Sequence, residues 1–431
     1  MAKIVIVGAG IGGCSVAYEL RGMLGREHGI TVLNPVDYFQ FIPSNPWVAI
    51  GWRERRQTTL PIGRYLARKN IDFIAEAAHT IDPEKRVVTL AGGTLDFDYL
   101  VIATGAQLAF DEIVGLGPDG HSQSICTVEH AERTWQAYQE FVQNPGPVVI
   151  GATQGASCFG PAYEFALLVD TDLRRRRLRD RVPMIFVTSE PYIGHLGLGG
   201  VRDSKQLLEH ELRERHIKWI TNAKVTEVNA DAMKVTEVLA DGQPAREHTL
   251  ASKFTMFIPA FKGVAAVAGA QALCNPRGFV NVDRYQRNPK HPQVYALGVG
   301  VAIPPYEPTP VPVGVPKTGY MIESMAMAIA RNIRAAIAGE VPTAEASWNA
   351  VCLADMGDKG FAFVALPQIP PRNVTWAKTG RWVHLAKLAF EKYFLRKMRR
   401  GVNSPAFERY VLKRFGIVLL KNSPSNATGG N

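Results

Sequence analysis

The residues most capable of redox chemistry are five cysteines, at positions 14, 126, 158, 274 and 352. Their number is odd and their spacing long and irregular, so neither a zinc site nor a CxxC redox turn is encoded. Thiols this far apart in a chain without a disulfide framework are free or catalytic. Three stand in distinctive segments. Cys126 lies in Ser124-Ile125-Cys126-Thr127-Val128-Glu129-His130, with His130 four residues on. Cys158 follows a glycine loop, Gly151-Ala152-Thr153-Gln154-Gly155-Ala156-Ser157-Cys158, near the predicted start of a helix. N–H groups and the helix dipole there are expected to stabilise a thiolate and lower its pKa; a buried structural cysteine is the alternative. Cys352 lies in Trp348-Asn349-Ala350-Val351-Cys352-Leu353-Ala354-Asp355. These three sulfurs meet in three dimensions or not at all. Cys14 falls in an apolar helical pattern and is expected in the core. Cys274 sits in a loop-like stretch and has no assigned role. For proton transfer the candidates are His130 and His195, with Glu164, Asp355 and Asp358 behind them. Each could equally serve a structural purpose.

The elements that must position these groups are legible around the glycines. A β-branched run at 3–7 leads into Gly8-Ala9-Gly10-Ile11-Gly12-Gly13 and a helical pattern from Cys14 to Leu24. Strand, G-x-G-x-x-G and helix in this order form a dinucleotide-binding unit: the glycines tighten the turn, admit a pyrophosphate and let helix and strand pack. A second strand is expected at Ile30–Leu33. It ends in Asn34-Pro35 where an acid usually holds the ribose, so any contact there is uncharged. A buried strand ends in Ala103-Thr104-Gly105, and a late one in Gly298-Val299-Gly300. A second strand–glycine–helix unit opens at Gly146, but Thr153 replaces its second fingerprint glycine, which disfavours a nicotinamide nucleotide.

The 431 residues carry a net charge of +10, which suggests an anionic partner, yet no nucleic-acid-binding module is present. Folding begins with the first residues, so no signal peptide is expected, and no apolar stretch is long enough to span a membrane. From Trp382 to Arg400 a helix is predicted in which apolar residues interleave with six basic ones and a single acid, Glu391. A second amphipathic stretch is expected from Ala406 to about Phe415. Such helices suit a lipid headgroup layer, or else a protein surface with a solvated basic face. Arg174–Arg177 is expected to be a solvated helix face, and the Asn422–Asn431 tail to be disordered.

The glycine fingerprint, the Ala-Thr-Gly strand end and the late Gly-rich strand end resemble the FAD-dependent pyridine-nucleotide-disulfide-reductase superfamily. In that superfamily an Asp is usual at the position of Val299, so the ribityl contact must come from elsewhere. The segments Tyr38–Trp47, Gly155–Glu164, Thr188–His195, Pro316–Met321 and Trp382–Lys387, with the Cys126 and Cys352 segments, resemble the sulfide:quinone oxidoreductase family over nearly the whole chain. The resemblance implies an α/β fold of two Rossmann-like domains with a C-terminal amphipathic membrane-docking section. Its boundaries would be 1–145 with 280–340, 146–279, and 341–421. It implies oxidation of sulfide to polysulfide through a cysteine persulfide relay and FAD, with electrons passed to a membrane quinone. Cys158 and Cys352 would carry the chemistry as a bridge that sulfide opens, Cys352 being the thiolate that meets the flavin. Cys126 would aid product release or link to the flavin. The implied FAD contacts are Gly8 to Gly13, Asn34, Pro35, Ile42, Ala78, Thr104, Gly105, Gly298, Val299, Lys317 and Gly319, with Lys317 as a positive charge beside the reduced ring. Phe390 and Phe407 would sandwich the quinone, with Lys387 at a carbonyl oxygen. No metal and no nucleic acid are implied. The chain would be a peripheral membrane protein, on the cytoplasmic face by default, and self-association into a homo-oligomer stays open. Three rivals remain: an NADH:quinone oxidoreductase, the flavin subunit of a flavocytochrome c sulfide dehydrogenase, and a non-catalytic sulfur-binding sensor.

Overall fold

The computed structural model describes residues 1–405, 407, 408, 410 and 418–421. The strands Lys3–Val7, Gly29–Leu33, Asp72–Ile74, Tyr99–Ile102 and Val294–Ala296 form one parallel sheet with Lys3–Val7 at its centre. The last of these strands returns from far along the chain to pair with Tyr99–Ile102. A helix, Ile11–Met23, follows the first strand and begins inside the fingerprint, because Gly12 and Gly13 are already helical. Cys14 is completely buried on it, its thiol donating to the Ala9 carbonyl at 3.2 Å, as a core residue should. The long helix Gly319–Ile337 packs against its side.

A second parallel sheet is built from Val148–Ala152, Met184–Thr188, Ile217–Ile220 and Phe254–Ile258. Every residue of Val148–Ala152 is buried, the signature of a parallel strand covered on both faces. Helix Gly160–Arg175 starts two residues after Cys158. The arginine run at its end is not merely solvated. Arg174 and Arg176 reach back one turn to Asp170 and Asp172, and Arg175 lies 4.4 Å above the Trp52 ring.

The C-terminal section contains an element the periodicity did not reveal, an antiparallel sheet of Ala350–Asp355, Gly360–Leu366 and Val374–Gly380. Cys352 is on its edge strand. Helix Arg381–Arg400 lies against this sheet, and Gly401, at φ +63°, ends it with a left-handed cap. Its inner face carries Val383, Phe394, Leu395 and Met398, and among them three charged residues, while Arg381, Lys392, Arg396, Arg399 and Arg400 stay exposed. Lys387, Glu391 and Lys397 are buried, whereas Trp382, Leu385 and Phe390 are exposed. Burial of three charges is possible because each is paired: Lys387 with Glu164, Glu391 with Arg53, and Lys397 with Glu323. Of the second amphipathic stretch only Phe407, Glu408 and Tyr410 are among the described residues; the expected tail lies outside them. No helix among the described residues is long and apolar enough to cross a membrane.

Candidate active site

The first glycine loop has the shape a dinucleotide needs. Gly8 has φ +111°, and a β-carbon on it would stand 2.3 Å from the Ala103 carbonyl oxygen; on Gly13 it would stand 1.8 Å from the oxygen of Gly8. Both positions are closed to side chains by backbone. Gly10 differs: a β-carbon there would meet nothing within 4 Å, so the helix N-terminus opens onto free space. Gly319, which begins the long helix, is open in the same way. Gly105, at φ +74°, and Gly300 pack closely, a β-carbon on Gly300 standing 3.0 Å from the Gly105 oxygen, with Val299 beside them. A groove edged by bare glycine backbone and two helix starts fits the FAD of this superfamily. Thr104, Gly12 and Ile11 are partly exposed along it, as is Ala78; Ile42 and Pro35 are exposed. Asn34 departs from the expected ribose contact. Its Oδ1 accepts from the Ala9 N–H at 3.0 Å and its amide donates to the Val36 carbonyl at 2.7 Å, so it braces the loop.

The second glycine loop is filled from within. The N–H of Thr153 donates to Ile258, that of Gly155 to Pro312 and that of Ala156 to Thr153, all carbonyls of the chain itself. The Gln154 side chain bonds both the N–H and the carbonyl of Val225. Glu190, just beyond the second strand of this sheet, is turned inward to Tyr163, Thr188 and the N–H of Leu196. Three of the loop N–H groups, those of Thr153, Gly155 and Ala156, are therefore already engaged within the chain.

In its place the loop presents Cys158. Cys158 lies within electrostatic reach of Cys352, Cys126, Glu164 and Lys317, so the three separated thiols are brought together. All five cysteines are unbridged in this structure. A β-carbon on Gly160 would stand 3.9 Å from the Cys352 sulfur, which places Cys352 against the start of the same helix. The expected lowering of the Cys158 pKa is not found. Burial pushes this thiol up to about 12, the neighbouring cysteines and Glu164 add to the rise, and only Lys317 opposes it. Cys352 is likewise pushed up to about 12 and Cys126 to about 11, in each case first by burial. Desolvation, which disfavours the charged form, is the largest cause at each of the three thiols. Lys317 is itself lowered to about 8 by burial, with the charge of Cys158 acting in the opposite direction.

Behind Cys352 stands a buried polar cluster. Lys387 and Glu164 make a direct ion pair, and Lys387 also lies 5.0 Å above the Trp47 ring. Burial raises Glu164 to about 7 although Lys387 pulls it down. The Asp355 carboxylate is fully buried and accepts from Trp47 Nε1 at 2.8 Å and from the N–H of Gly357 at 3.1 Å, with His384 Nδ1 at 2.7 Å. Lys387 is thus a buried residue paired with Glu164. Asp358 is exposed and pairs with Arg215.

Of the two expected proton-transfer histidines, His195 has both ring nitrogens engaged, whereas the buried Nδ1 of His130 has no hydrogen-bond partner among the described residues. The N–H of Gly197 donates to His195 Nδ1 at 3.2 Å, and Nε2 faces Glu307 at 2.9 Å, so both ring nitrogens brace the loop and burial lowers the pKa. His130 packs edge-on against Phe110, with its pKa lowered by burial and by Arg133. Its backbone N–H donates to the Thr127 hydroxyl and caps the helix, while the Cys126 N–H donates to the Ser124 hydroxyl at 3.3 Å. The two expected sandwich rings pack against different residues: Phe390 in a cluster with Phe41 and Phe394, Phe407 against Tyr393. Trp47 and His384 were not singled out from sequence, although both stand in segments that carried the resemblance. Their spacing gives no period; only the fold brings them to Asp355.

Residues 2–316 match the family model described as pyridine nucleotide-disulphide oxidoreductase. The chain is 45% identical to the sulfide-quinone reductase of Aquifex aeolicus, over 96% of its own length and 95% of the relative's. It is 26% identical to the mitochondrial sulfide:quinone oxidoreductase of Dictyostelium discoideum, over 69% of this chain and 65% of that one. The crystal structure of the Aquifex aeolicus sulfide:quinone oxidoreductase superposes with a TM-score of 0.93 at 43% identity, covering all of both chains. The NDH2 structure from Plasmodium falciparum, at 15% identity and a TM-score of 0.72, shares the fold alone. With its dinucleotide groove intact, three N–H groups of its second loop engaged within the chain and three thiols gathered where that loop ends, this chain belongs to the sulfide-quinone reductase family of FAD-dependent pyridine nucleotide-disulphide oxidoreductases.

Proposed function

We propose that this protein oxidises sulfide to sulfane sulfur at Cys158 and Cys352 and passes the electrons through FAD to a quinone. The observation that carries this reading is the gathering of Cys158, Cys352 and Cys126 around Lys317 and Glu164, beside a second glycine loop with three of its N–H groups already engaged. Sulfide attacks a Cys158–Cys352 bridge: a bond forms from sulfide to the Cys158 sulfur, the bridge breaks, and Cys352 leaves as thiolate. The thiolate and the new persulfide then rejoin with one more sulfur between them, releasing two electrons and one proton. FAD supplies the two-electron acceptor when bound. Lys317 offers the positive charge that reduced flavin needs, and Cys126 stands close enough to Cys158 to take over a lengthening sulfur chain. Glu164 is the base beside Cys352, poised near neutrality by burial against Lys387. The proton released when the sulfurs rejoin comes from the persulfide S–H, and Glu164 is the carboxylate beside Cys352 that takes it.

The exposed Trp382, Leu385 and Phe390, on a helix that also exposes Arg381, Lys392, Arg396, Arg399 and Arg400, suit a surface resting in the headgroup layer where quinone is drawn in. Exposed Phe407, Val402 and Tyr410 extend the same apolar character. Phe390 lies on this surface and contacts the Phe41 side of the core, as a ring that holds quinone at the flavin end would.

The test is anaerobic addition of sulfide to the FAD-loaded protein, followed by a short-chain quinone, with NADH as the parallel control. Bleaching by sulfide and recovery with quinone support the reading. Bleaching by NADH alone replaces it with an NADH:quinone activity.

A further inference from the structure

Each turn of the sulfur chemistry releases a proton beside Cys352, and the base that faces it is itself buried. A proton held on Glu164 must leave before the next turn. Asp355 is on the same strand as Cys352, three residues on, and directs its backbone N–H at the Glu164 carboxylate. Its own carboxylate has Trp47, Gly357 and His384 around it, and Trp47 lies beneath Lys387 as well. His384 and Lys387 are one turn apart on helix Arg381–Arg400, so one helix face supplies both partners. The exposures have a direction. The side chain of His384 is 26% accessible, against 6% for Glu164, 3% for Lys387 and 0% for Asp355. His384 is where the cluster reaches the surface, between the exposed Trp382 and Leu385. A histidine held by a buried carboxylate and open on one side is fitted to pick up and release protons.

We propose that the Asp355–His384 pair is the proton port of the sulfide half-reaction, carrying to the surface the proton that Glu164 takes up beside Cys352. His384 is a positioning and proton-carrying residue here, since it does not touch substrate. This inference rests on the sulfide-oxidising reading above. The charged groups set around the ring are Asp355 on the strand, Glu164 behind it, and Arg381 and Lys387 one turn to either side on its own helix.

The experiment is rapid-mixing reduction of the FAD-loaded protein by sulfide in wild type, His384→Ala and His384→Gln, each with and without added imidazole. Both variants should slow by about a hundredfold or more, the low end of what a positioned proton carrier contributes. Imidazole should restore His384→Ala. Wild-type rates in both variants overturn the proposal; so does a wild-type rate in His384→Gln alone, since a hydrogen bond to Asp355 would then suffice. Slow variants that imidazole leaves slow also overturn it. Failure of the wild type to be bleached by sulfide would refute the sulfide reading instead.

Discussion

The sulfur of Cys352 lies 3.9 Å from the place where a β-carbon on Gly160 would stand. The first residue of the helix after Cys158 is therefore the floor under the second cysteine, and one backbone segment sets the position of both sulfurs. A methyl at Gly160 is in ordinary contact distance, so Gly160→Ala should reduce its flavin with sulfide at close to the wild-type rate. Gly160→Leu must occupy the space in which a sulfur chain grows. It should slow flavin reduction by about a hundredfold, the scale on which a 1 Å misplacement acts. Stopped-flow bleaching of the two variants side by side checks this.

Cys158→Ser and Cys352→Ser should keep FAD but lose reduction by sulfide, because neither hydroxyl can form the bridge that sulfide opens. Cys126→Ser should keep single-turnover bleaching and lose sustained turnover. Flavin content by absorbance, with single- and multiple-turnover assays, separates the three.

The three thiols should be slow to alkylate. Their pKa values are raised to about 11 or 12, so at neutral pH they are almost entirely neutral thiols, and thiolate is the reactive form. With the protein reduced so that all three are free thiols, mass spectrometry after a brief iodoacetamide pulse should find Cys126, Cys158 and Cys352 labelled far less than in the unfolded, reduced chain. Rapid labelling of Cys158 at neutral pH would restore the thiolate expected from its helix end.

Glu164 is raised to about 7 by burial, so it is protonated and idle below that pH and a carboxylate base above it. The sulfide half-reaction should quicken as pH rises through 7. Glu164→Gln should remove that component and leave only the ionisation of sulfide itself. Lys387→Met removes the cation that pulls Glu164 down, so the rising limb should move to higher pH. Bleaching rates from pH 6 to 9 decide both.

Leu385→Glu and Trp382→Glu place charge on the exposed apolar side of helix Arg381–Arg400. Liposome sedimentation and turnover with a long-chain, membrane-held quinone should both fall, while turnover with a short soluble quinone stays. Each change is at an exposed site, so stability should move by no more than about 0.5 kcal/mol.

The glycine fingerprint, the Ala103-Thr104-Gly105 strand end and the altered second loop are local patterns, and local chain geometry is what a sequence states directly. The dinucleotide fold and the core place of Cys14 were therefore readable from residue order. The direction of the Cys158 pKa was not. A helix end is visible in sequence, but the depth of burial that outweighs it is a sum over walls contributed by distant segments. Asn34 looked free because its partners, Ala9 and Val36, are backbone groups with no signature of their own. The edge strand of Cys352 was hidden because the neighbouring strand, Gly360–Leu366, is buried throughout and shows no alternation. On helix Arg381–Arg400 the sequence determined that charged and apolar residues share one helix. Which of them faces inward was decided by Glu164, Arg53 and Glu323, distant in sequence, which supply the opposite charge that makes burial of Lys387, Glu391 and Lys397 tolerable.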